Sequence, residues 1–173
     1  MRKVLLFGCG SRTENIVGLP GETPGTWDGY EVTTLDVNPD HGTDMVFDLN
    51  TFPYPFADNS FDRVEGHQVL EHLGSLGDYR HLFREFEEWH RILKPGGYFV
   101  ASVPMWNSLW AFGDPSHVRV INAGTLTFLD QESYKQVGKS PISDFRFCYK
   151  GNFSCVQTQE AGDNFFFILR AVK

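Results

Sequence analysis

The chain has 173 residues, 41% of them hydrophobic, which suits one domain with its own core spanning residues 1–173. A formal net charge of −7 argues against a protein that neutralises phosphates, so we expect no nucleic-acid partner. The three cysteines are too few and too scattered for a disulfide framework or a zinc site, and the early apolar run, residues 4–7, is too short to span a membrane. We therefore expect a cytoplasmic protein with no metal ligands and no membrane contact.

Short buried strands are predicted in the first half of the chain. Residues 4–7 are apolar without alternation and stop at a glycine, as expected for a strand buried on both faces of a parallel sheet. Further strands are predicted at residues 31–35, 45–47 and 61–65. The connections between these four strands are rich in glycine and proline, so they leave little room for helices.

The second half begins with the one long crossover helix that the sequence predicts. Residues 78–93 carry apolar side chains at helical spacing, and Pro95-Gly96-Gly97 follows as a helix stop. A strand is predicted at residues 98–103, and residues 153–158 and 165–172 predict an antiparallel hairpin. The expected fold class is α/β, with a mostly parallel sheet, a C-terminal antiparallel hairpin and reduced helices on one face.

Residues suited to ligand binding follow the first three strands. Gly8-Cys9-Gly10 allows close approach to backbone, Asp36 can accept the hydroxyls of a ribose, and Asp48 can accept an adenine amino group. Taken alone, the glycine segment could be an ordinary turn, and each aspartate could be a solvated carboxylate. Three such features at the ends of three successive strands favour a site for a nucleotide-type cofactor. Thr13 replaces the third glycine of the dinucleotide fingerprint, which ranks a nicotinamide-dependent oxidoreductase last.

An ordered set of segments resembles class I S-adenosylmethionine-dependent methyltransferases over residues 3 to about 104. The segments are Asp58-Asn59-Ser60-Phe61-Asp62, Val69-Leu70-Glu71-His72 and Leu93-Lys94-Pro95-Gly96-Gly97. Further on, Asp114-Pro115-Ser116-His117-Val118-Arg119 resembles the Asp-Pro-x-His-x-Arg segment of a small bacterial and phage-type subgroup. The resemblance implies a Rossmann-like fold, S-adenosyl-L-methionine as cofactor and methyl transfer as activity.

The same resemblance implies a set of cofactor-binding residues. They are Gly8, Cys9 and Gly10 for the methionine part, Asp36 and Val37 for the ribose, Asp48 and Leu49 for the adenine, and Gly66, His67 and Gln68 beside the sulfonium. His67 and His117 are the candidate catalytic residues, and structural hydrogen bonding remains an equal alternative for each. Asp62 is expected to steady the entry of its strand, and structural hydrogen bonding is favoured over ligand contact for Glu71 and His72.

One departure from the family pattern opens an alternative function. Leu6 stands where members often carry an acidic or amide residue for the methionine ammonium group, although Glu14-Asn15 or Gln68 could substitute. Arg12 could pair with the cofactor carboxylate. The alternative is therefore a cofactor-binding module without transferase activity of its own.

The acceptor is expected to be a small molecule, a sugar or a glycan. No Asn-Pro-Pro-Tyr, Asp-Pro-Pro-Tyr or Pro-Cys segment is present, so the family signatures for methylation of nucleic-acid bases are missing. An aromatic wall for the acceptor could come from Tyr54, Trp106, Trp110 and Phe112, although core or interface positions are the commoner role of such residues.

A homodimer is expected because a parallel sheet needs cover on both faces. The crossovers rich in glycine and proline offer poor cover on one face. Either residues 105–150 fold over that face or a second subunit does, most simply by a two-fold axis.

Overall fold

The computed structural model describes residues 1–19 and 22–173, which form a seven-stranded sheet of order β3-β2-β1-β4-β5-β7-β6. The strands are β1 (Arg2–Phe7), β2 (Tyr30–Asp36), β3 (Met45–Val46), β4 (Phe61–His67), β5 (Leu93–Pro104), β6 (Phe153–Ala161) and β7 (Asn164–Ala171). The α-helices are α1 (Tyr79–Ile92), α2 (Trp110–Gly113) and α3 (Ala123–Thr127), and 3-10 turns lie at Pro39–His41, Leu70–His72 and Gln131–Gln136. Within the described residues, no helix has the length and apolar character needed to cross a membrane.

The pairing of the strands confirms the expected fold class. Strands β1 to β5 pair in parallel, whereas β7 runs antiparallel to both β5 and β6. The hairpin turn is shorter than expected, because β6 continues to Ala161 and β7 begins at Asn164. A register shift between Cys155 and Gln157 marks an irregularity in the edge strand.

The start of β5 differs from the sequence prediction. The helix α1 ends at Ile92 as expected, but the strand begins at once with Leu93 rather than at Tyr98. Leu93 pairs with Phe61 and pairing then resumes between Arg63 and Tyr98, so residues 94–97 form an irregularity inside the strand. Asp62 fixes this corner as expected, since its carboxylate accepts from the Lys3 amide and from Lys94 Nζ, both at 2.7 Å.

One face of the sheet carries nearly all of the apolar core. Phe99 is fully buried at its centre, and its ring lies 5.3–6.3 Å from five other aromatic rings. These rings belong to Phe7, Phe86, Trp89, Phe153 and Phe167. The segment 105–150 packs on this same face through Ile121, Leu126, Leu129 and Tyr149. The alternative in which that segment covers the other face is therefore wrong.

The opposite face has a small apolar cluster and buried charges. Leu19, Val100 and Ile168 form the cluster, and no helix forms within residues 1–19 or 22–29 to cover it. Arg63 on β4 is fully buried there, and its guanidinium bonds to Glu22 at 2.7 Å and to the Val17 carbonyl. Charge-assisted hydrogen bonds thus fasten the loop that lies over this face.

Loss of the Phe99 ring should destabilise the fold strongly. Phe99→Ala should lower the free energy of unfolding by about 3–5 kcal/mol, because it leaves a cavity among five rings. Phe112→Ala is the matched control, since Phe112 is 76% exposed, and its effect should stay within about 0.5 kcal/mol. Urea unfolding of both variants measures the difference, and equal losses would contradict this description of the core.

Candidate active site

A cavity of about 400 Å³ lies at the edge of the sheet where β1, β4 and β5 end. It is lined by Leu6, Phe7, Gly8, Cys9, Gly10, Ser11, Arg12, Glu14, Ile16, His67, Gln68, Ser102, Asn164 and Phe166. Ligands of open α/β sheets bind outside the carboxyl ends of the parallel strands, so its position fits a cofactor site.

The glycine loop after β1 forms one wall of this cavity. Gly8 has a φ of +55° and a Cβ at this position would lie 2.3 Å from a methyl carbon of Val69, so only glycine fits. The amide of Gly10 donates to Asp36 Oδ2 at 2.8 Å. The glycine loop is therefore hydrogen-bonded to the acidic residue at the end of β2.

Asp36 is almost buried and is already hydrogen-bonded within the chain. Besides Gly10, the Asn38 amide donates to Oδ1 at 2.9 Å, and His41 Nδ1 lies 3.1 Å from the same oxygen. Burial alone would raise the pKa of Asp36, but the backbone amides of Asn38 and Gly10 and the His41 side chain hold it below its usual value. The neighbouring Val37 is 62% exposed.

The two residues expected at the adenine lie further along the same edge, after β3. Asp48 is exposed, and its Oδ1 accepts from the amide and the side chain of Asn50 at 2.9 and 3.1 Å. Leu49 is buried, and its carbonyl accepts from the Tyr54 hydroxyl at 3.3 Å. Neither residue lines the cavity, and Asp36 and Val37 do not line it either.

The end of β4 forms the second wall of the cavity. A Cβ on Gly66 would lie 2.3 Å from the Phe7 ring, which explains the glycine there. His67 has both ring nitrogens occupied, with Nε2 2.8 Å from Glu65 Oε1 and Nδ1 2.9 Å from Ser102 Oγ. Gln68 has a φ of +57°, an unusual conformation for a non-glycine residue that often marks a functional position.

Of the side chains proposed to replace the acidic residue at Leu6, only some reach the cavity. Arg12, Glu14 and Gln68 line it. Asn15 is buried elsewhere, where it donates to the Thr26 carbonyl at 3.1 Å and accepts from Arg63, so that prediction is wrong for Asn15.

The contribution of β5 and β7 to the cavity lining was not predicted from the sequence. Ser102, Asn164 and Phe166 line the cavity because β7 starts, in antiparallel direction, beside the end of β5. The hairpin prediction contained this information in principle. An antiparallel strand after the last parallel strand must bring its first residues to the carboxyl edge.

His117 does not line the cavity with His67. It lies instead against Glu71 and His72, and its ring contacts the His72 ring at a centroid distance of 4.5 Å. Glu71 is 2% exposed, and neither carboxylate oxygen has a hydrogen-bond partner among the described residues, so the hydrogen-bonding role expected for it is wrong. Burial raises the pKa of Glu71 to about 7.

The aromatic side chains suggested for an acceptor wall do not come together. Tyr54 is buried in the core, with its ring stacked on Phe52 and tilted against Trp89. The other three, Trp106, Trp110 and Phe112, are exposed on the segment after β5. The wall as a single surface is therefore wrong.

Comparisons with known proteins agree with this geometry. Residues 28–101 match the family described as a methyltransferase domain, whereas no curated protein matches the chain. A SAM-dependent methyltransferase from Archaeoglobus fulgidus is 17% identical with a TM-score of 0.59, and the match covers 98% of this chain and 86% of that one. A SAM-dependent methyltransferase from Methanosarcina mazei is 18% identical with a TM-score of 0.57, covering 99% and 92% of the two chains.

A third solved structure carries the cofactor product. The N-methyltransferase NodS of Bradyrhizobium japonicum, in complex with S-adenosyl-L-homocysteine, is 14% identical with a TM-score of 0.56, and the match covers 99% of this chain and 79% of that one. Identities this low establish the fold alone, and the match to the methyltransferase domain family covers residues 28–101, less than half of the chain. The chain therefore shares its fold with these S-adenosyl-L-methionine-dependent methyltransferases, and its residues 28–101 are similar to the methyltransferase domain family.

Proposed function

We propose that the chain transfers a methyl group from S-adenosyl-L-methionine to a small molecule, a sugar or a glycan. The observation that carries the proposal is the cavity of about 400 Å³ at the carboxyl edge of the sheet. Its volume lies within the roughly 300–1,000 Å³ of small-molecule and cofactor sites. Gly8 and Gly10 line it, and a Cβ on Gly8 would lie 2.3 Å from the Val69 side chain.

The charged residues of the cavity suit the methionine part of the cofactor. Arg12 and Glu14 line it together and carry opposite charges, as do the carboxylate and the ammonium group of the cofactor. A guanidinium binds a carboxylate in a bidentate fashion, so we assign Arg12 to the carboxylate and Glu14 to the ammonium group. Glu14 would then take the role of the acidic residue that many family members carry at the position of Leu6.

The ribose and the adenine are assigned to the strand ends next to the cavity. A carboxylate has about four acceptor positions, so Asp36, with Gly10, Asn38 and His41 beside it, keeps about one for a ribose hydroxyl. Asp48 and Leu49 follow at the end of β3 for the adenine. Gly66, His67 and Gln68 then border the sulfonium.

The acceptor class is supported by a second cavity of about 360 Å³ that shares Ile16 and Phe166 with the first. Two glutamines, Gln157 and Gln159, and the partly exposed Phe166 contribute to its lining. Amide side chains and aromatic surfaces suit an uncharged polar acceptor, with the hydroxyls of a sugar as the best match.

Methyl transfer from a sulfonium is an in-line displacement, in which the protein aligns the acceptor and excludes water. We assign His67 to the acceptor side, where its contact with the Glu65 carboxylate would stabilise a proton taken from a hydroxyl acceptor. His117 lies outside the cavity lining, so His67 alone is proposed at the methyl group.

A cofactor-binding module without transferase activity remains the second candidate, and Leu6 is the feature that favours it. The chain should convert S-adenosyl-L-methionine to S-adenosyl-L-homocysteine when small sugars or a cell extract are supplied. Binding of the cofactor without any conversion would favour the module.

The ribose assignment predicts a specific loss of affinity. Asp36→Asn should weaken binding of S-adenosyl-L-homocysteine by a factor of about 10 to 100, because it removes charge-assisted hydrogen bonds. The loss should shrink for the 2′-deoxy analogue, which lacks one of the hydroxyls. Asp163→Asn, in the hairpin turn, is the matched control, and isothermal titration of the two variants giving equal affinities would refute the assignment.

The methionine assignment predicts an electrostatic effect of Arg12. Arg12→Ala should weaken S-adenosyl-L-homocysteine about tenfold or more, yet leave 5′-methylthioadenosine, which lacks the carboxylate, nearly unaffected. Arg80→Ala on α1 is the control, because Arg80 is exposed and does not line the cavity. An equal loss for both ligands would count against the pairing.

The homodimer is proposed on the thin cover of one sheet face, where Leu19, Val100 and Ile168 form the only apolar cluster found among the described residues of that face. Sedimentation at micromolar concentration should give the mass of two chains, and a monomer alone would refute the dimer.

A cytoplasmic location is likewise proposed, supported by three cysteines that are all free thiols.

A further inference from the structure

Three side chains with metal-binding atoms meet beside the end of β4. Glu71 and His72 come from the 3-10 turn after that strand, and His117 comes from the segment after α2. One ligand atom from each lies within 4.8 Å of the other two. The two segments are joined by the Val118 amide, which donates to the Glu71 carbonyl at 2.9 Å.

Glu71 is the feature of this cluster that lacks an explanation within the chain. Its side chain is buried, and both oxygens are without hydrogen-bond partners among the described residues. The positive charge of Arg119 acts on Glu71, but its Nε donates to the Leu70 carbonyl at 2.7 Å and its Nη2 pairs with Glu85. Its Nη1 is buried without a hydrogen-bond partner among the described residues, so it forms no hydrogen bond with Glu71. A buried carboxylate in this position is costly unless a cation or a proton joins it.

The hydrogen bond of His117 fixes which of its nitrogens is available. Nδ1 lies 2.7 Å from the Trp110 carbonyl, which only accepts, so Nδ1 carries the hydrogen. The neutral ring then has its lone pair on Nε2, which lies 3.9 Å from a carboxylate oxygen of Glu71 and 3.9 Å from one of Asp114. Three electron-rich atoms therefore face one another.

The same reasoning applies to His72. Ser116 Oγ lies 2.6 Å from Asp114 Oδ1, a distance at which the hydroxyl donates its single hydrogen to the carboxylate. Ser116 Oγ must then accept from His72 Nδ1 at 3.0 Å, which leaves the lone pair of His72 on Nε2. Both imidazoles are thus oriented through an anchored N–H, the arrangement usual for histidines that bind metals.

We propose that Glu71, His72 and His117 bind a divalent transition-metal ion, for which zinc is the first probe. Two imidazoles and one carboxylate are a ligand set of open zinc sites, and Asp114 or water would complete the coordination. Zinc bonds of about 2.0–2.2 Å place ligand atoms roughly 3.3 Å apart in a tetrahedron, so atoms now up to 4.8 Å apart would close by at most about 1.5 Å on binding. The sequence-based expectation of no metal ligands rested on cysteines and did not consider this set.

The ion would have a structural consequence whatever the acceptor. It would tie residues 114–119 to the end of β4, close to Gln68 at the cavity. The proposal does not depend on the assignment of the acceptor or of His67.

The test is zinc binding by the full chain after treatment with a chelator. Titration in competition with a chromophoric chelator should show one ion per chain, and zinc should raise the melting temperature, since it binds only the folded state well. Cobalt(II) bound at the same site should give the visible absorption of nitrogen and oxygen ligands. Absence of stoichiometric binding would overturn the proposal.

Substitutions of the proposed ligands test whether zinc binds at this cluster. His117→Asn and Glu71→Gln should abolish stoichiometric binding, and Ser116→Ala should weaken it by a factor of about 10 to 100 through loss of the His72 anchor. His90→Asn on α1 is the control and should bind as the wild type. Glu71→Gln should fold at least as well as the metal-free wild type, because it removes an unpaired buried charge. Equal binding by wild type and His117→Asn would overturn the assignment.

Discussion

The carboxylate of Glu65 connects the thinly covered face of the sheet to the active site. It is fully buried on β4, forms an ion pair with Arg63 and lies 2.8 Å from the ring of His67. Arg63 in turn holds Glu22 of the covering loop, and His67 reaches Ser102 of β5. A buried charge of this kind is stable only with all its partners in place, so loop, strand and site are energetically linked.

Most of the candidate binding residues lie at the carboxyl edge of the sheet. Parallel strands end there together, and the glycines at positions 8 and 66 allow close packing where a Cβ would lie 2.3 Å from Val69 and from Phe7 respectively. The hairpin adds Phe166 to the same edge, and the second cavity continues from that ring over the face without helices. In the proposed function, cofactor and acceptor would thus meet at Phe166 and Ile16.

Features encoded within a few consecutive residues could be predicted from the sequence, whereas contacts between residues far apart in the sequence could not. The strand ends and the glycine loop follow from short patterns, because a buried strand and its stop are encoded within a few residues. Arg63 bonds to Glu22, 41 residues away, and Glu65 accepts from the Ile16 amide, 49 residues away. The cluster of Glu71 with His117 joins positions 46 apart. No spacing rule indicates such contacts, so both had to come from the structure.

The central claim is that the carboxyl-edge cavity holds S-adenosyl-L-methionine between the glycine loop and the end of β4. A crystal structure of the chain with S-adenosyl-L-homocysteine tests it most directly. The claim predicts the sulfur between Gly8–Gly10 and Gly66–Gln68, with the ribose on Asp36 and the carboxylate near Arg12. Cofactor product seated elsewhere, or no bound product at saturating concentration, would contradict it.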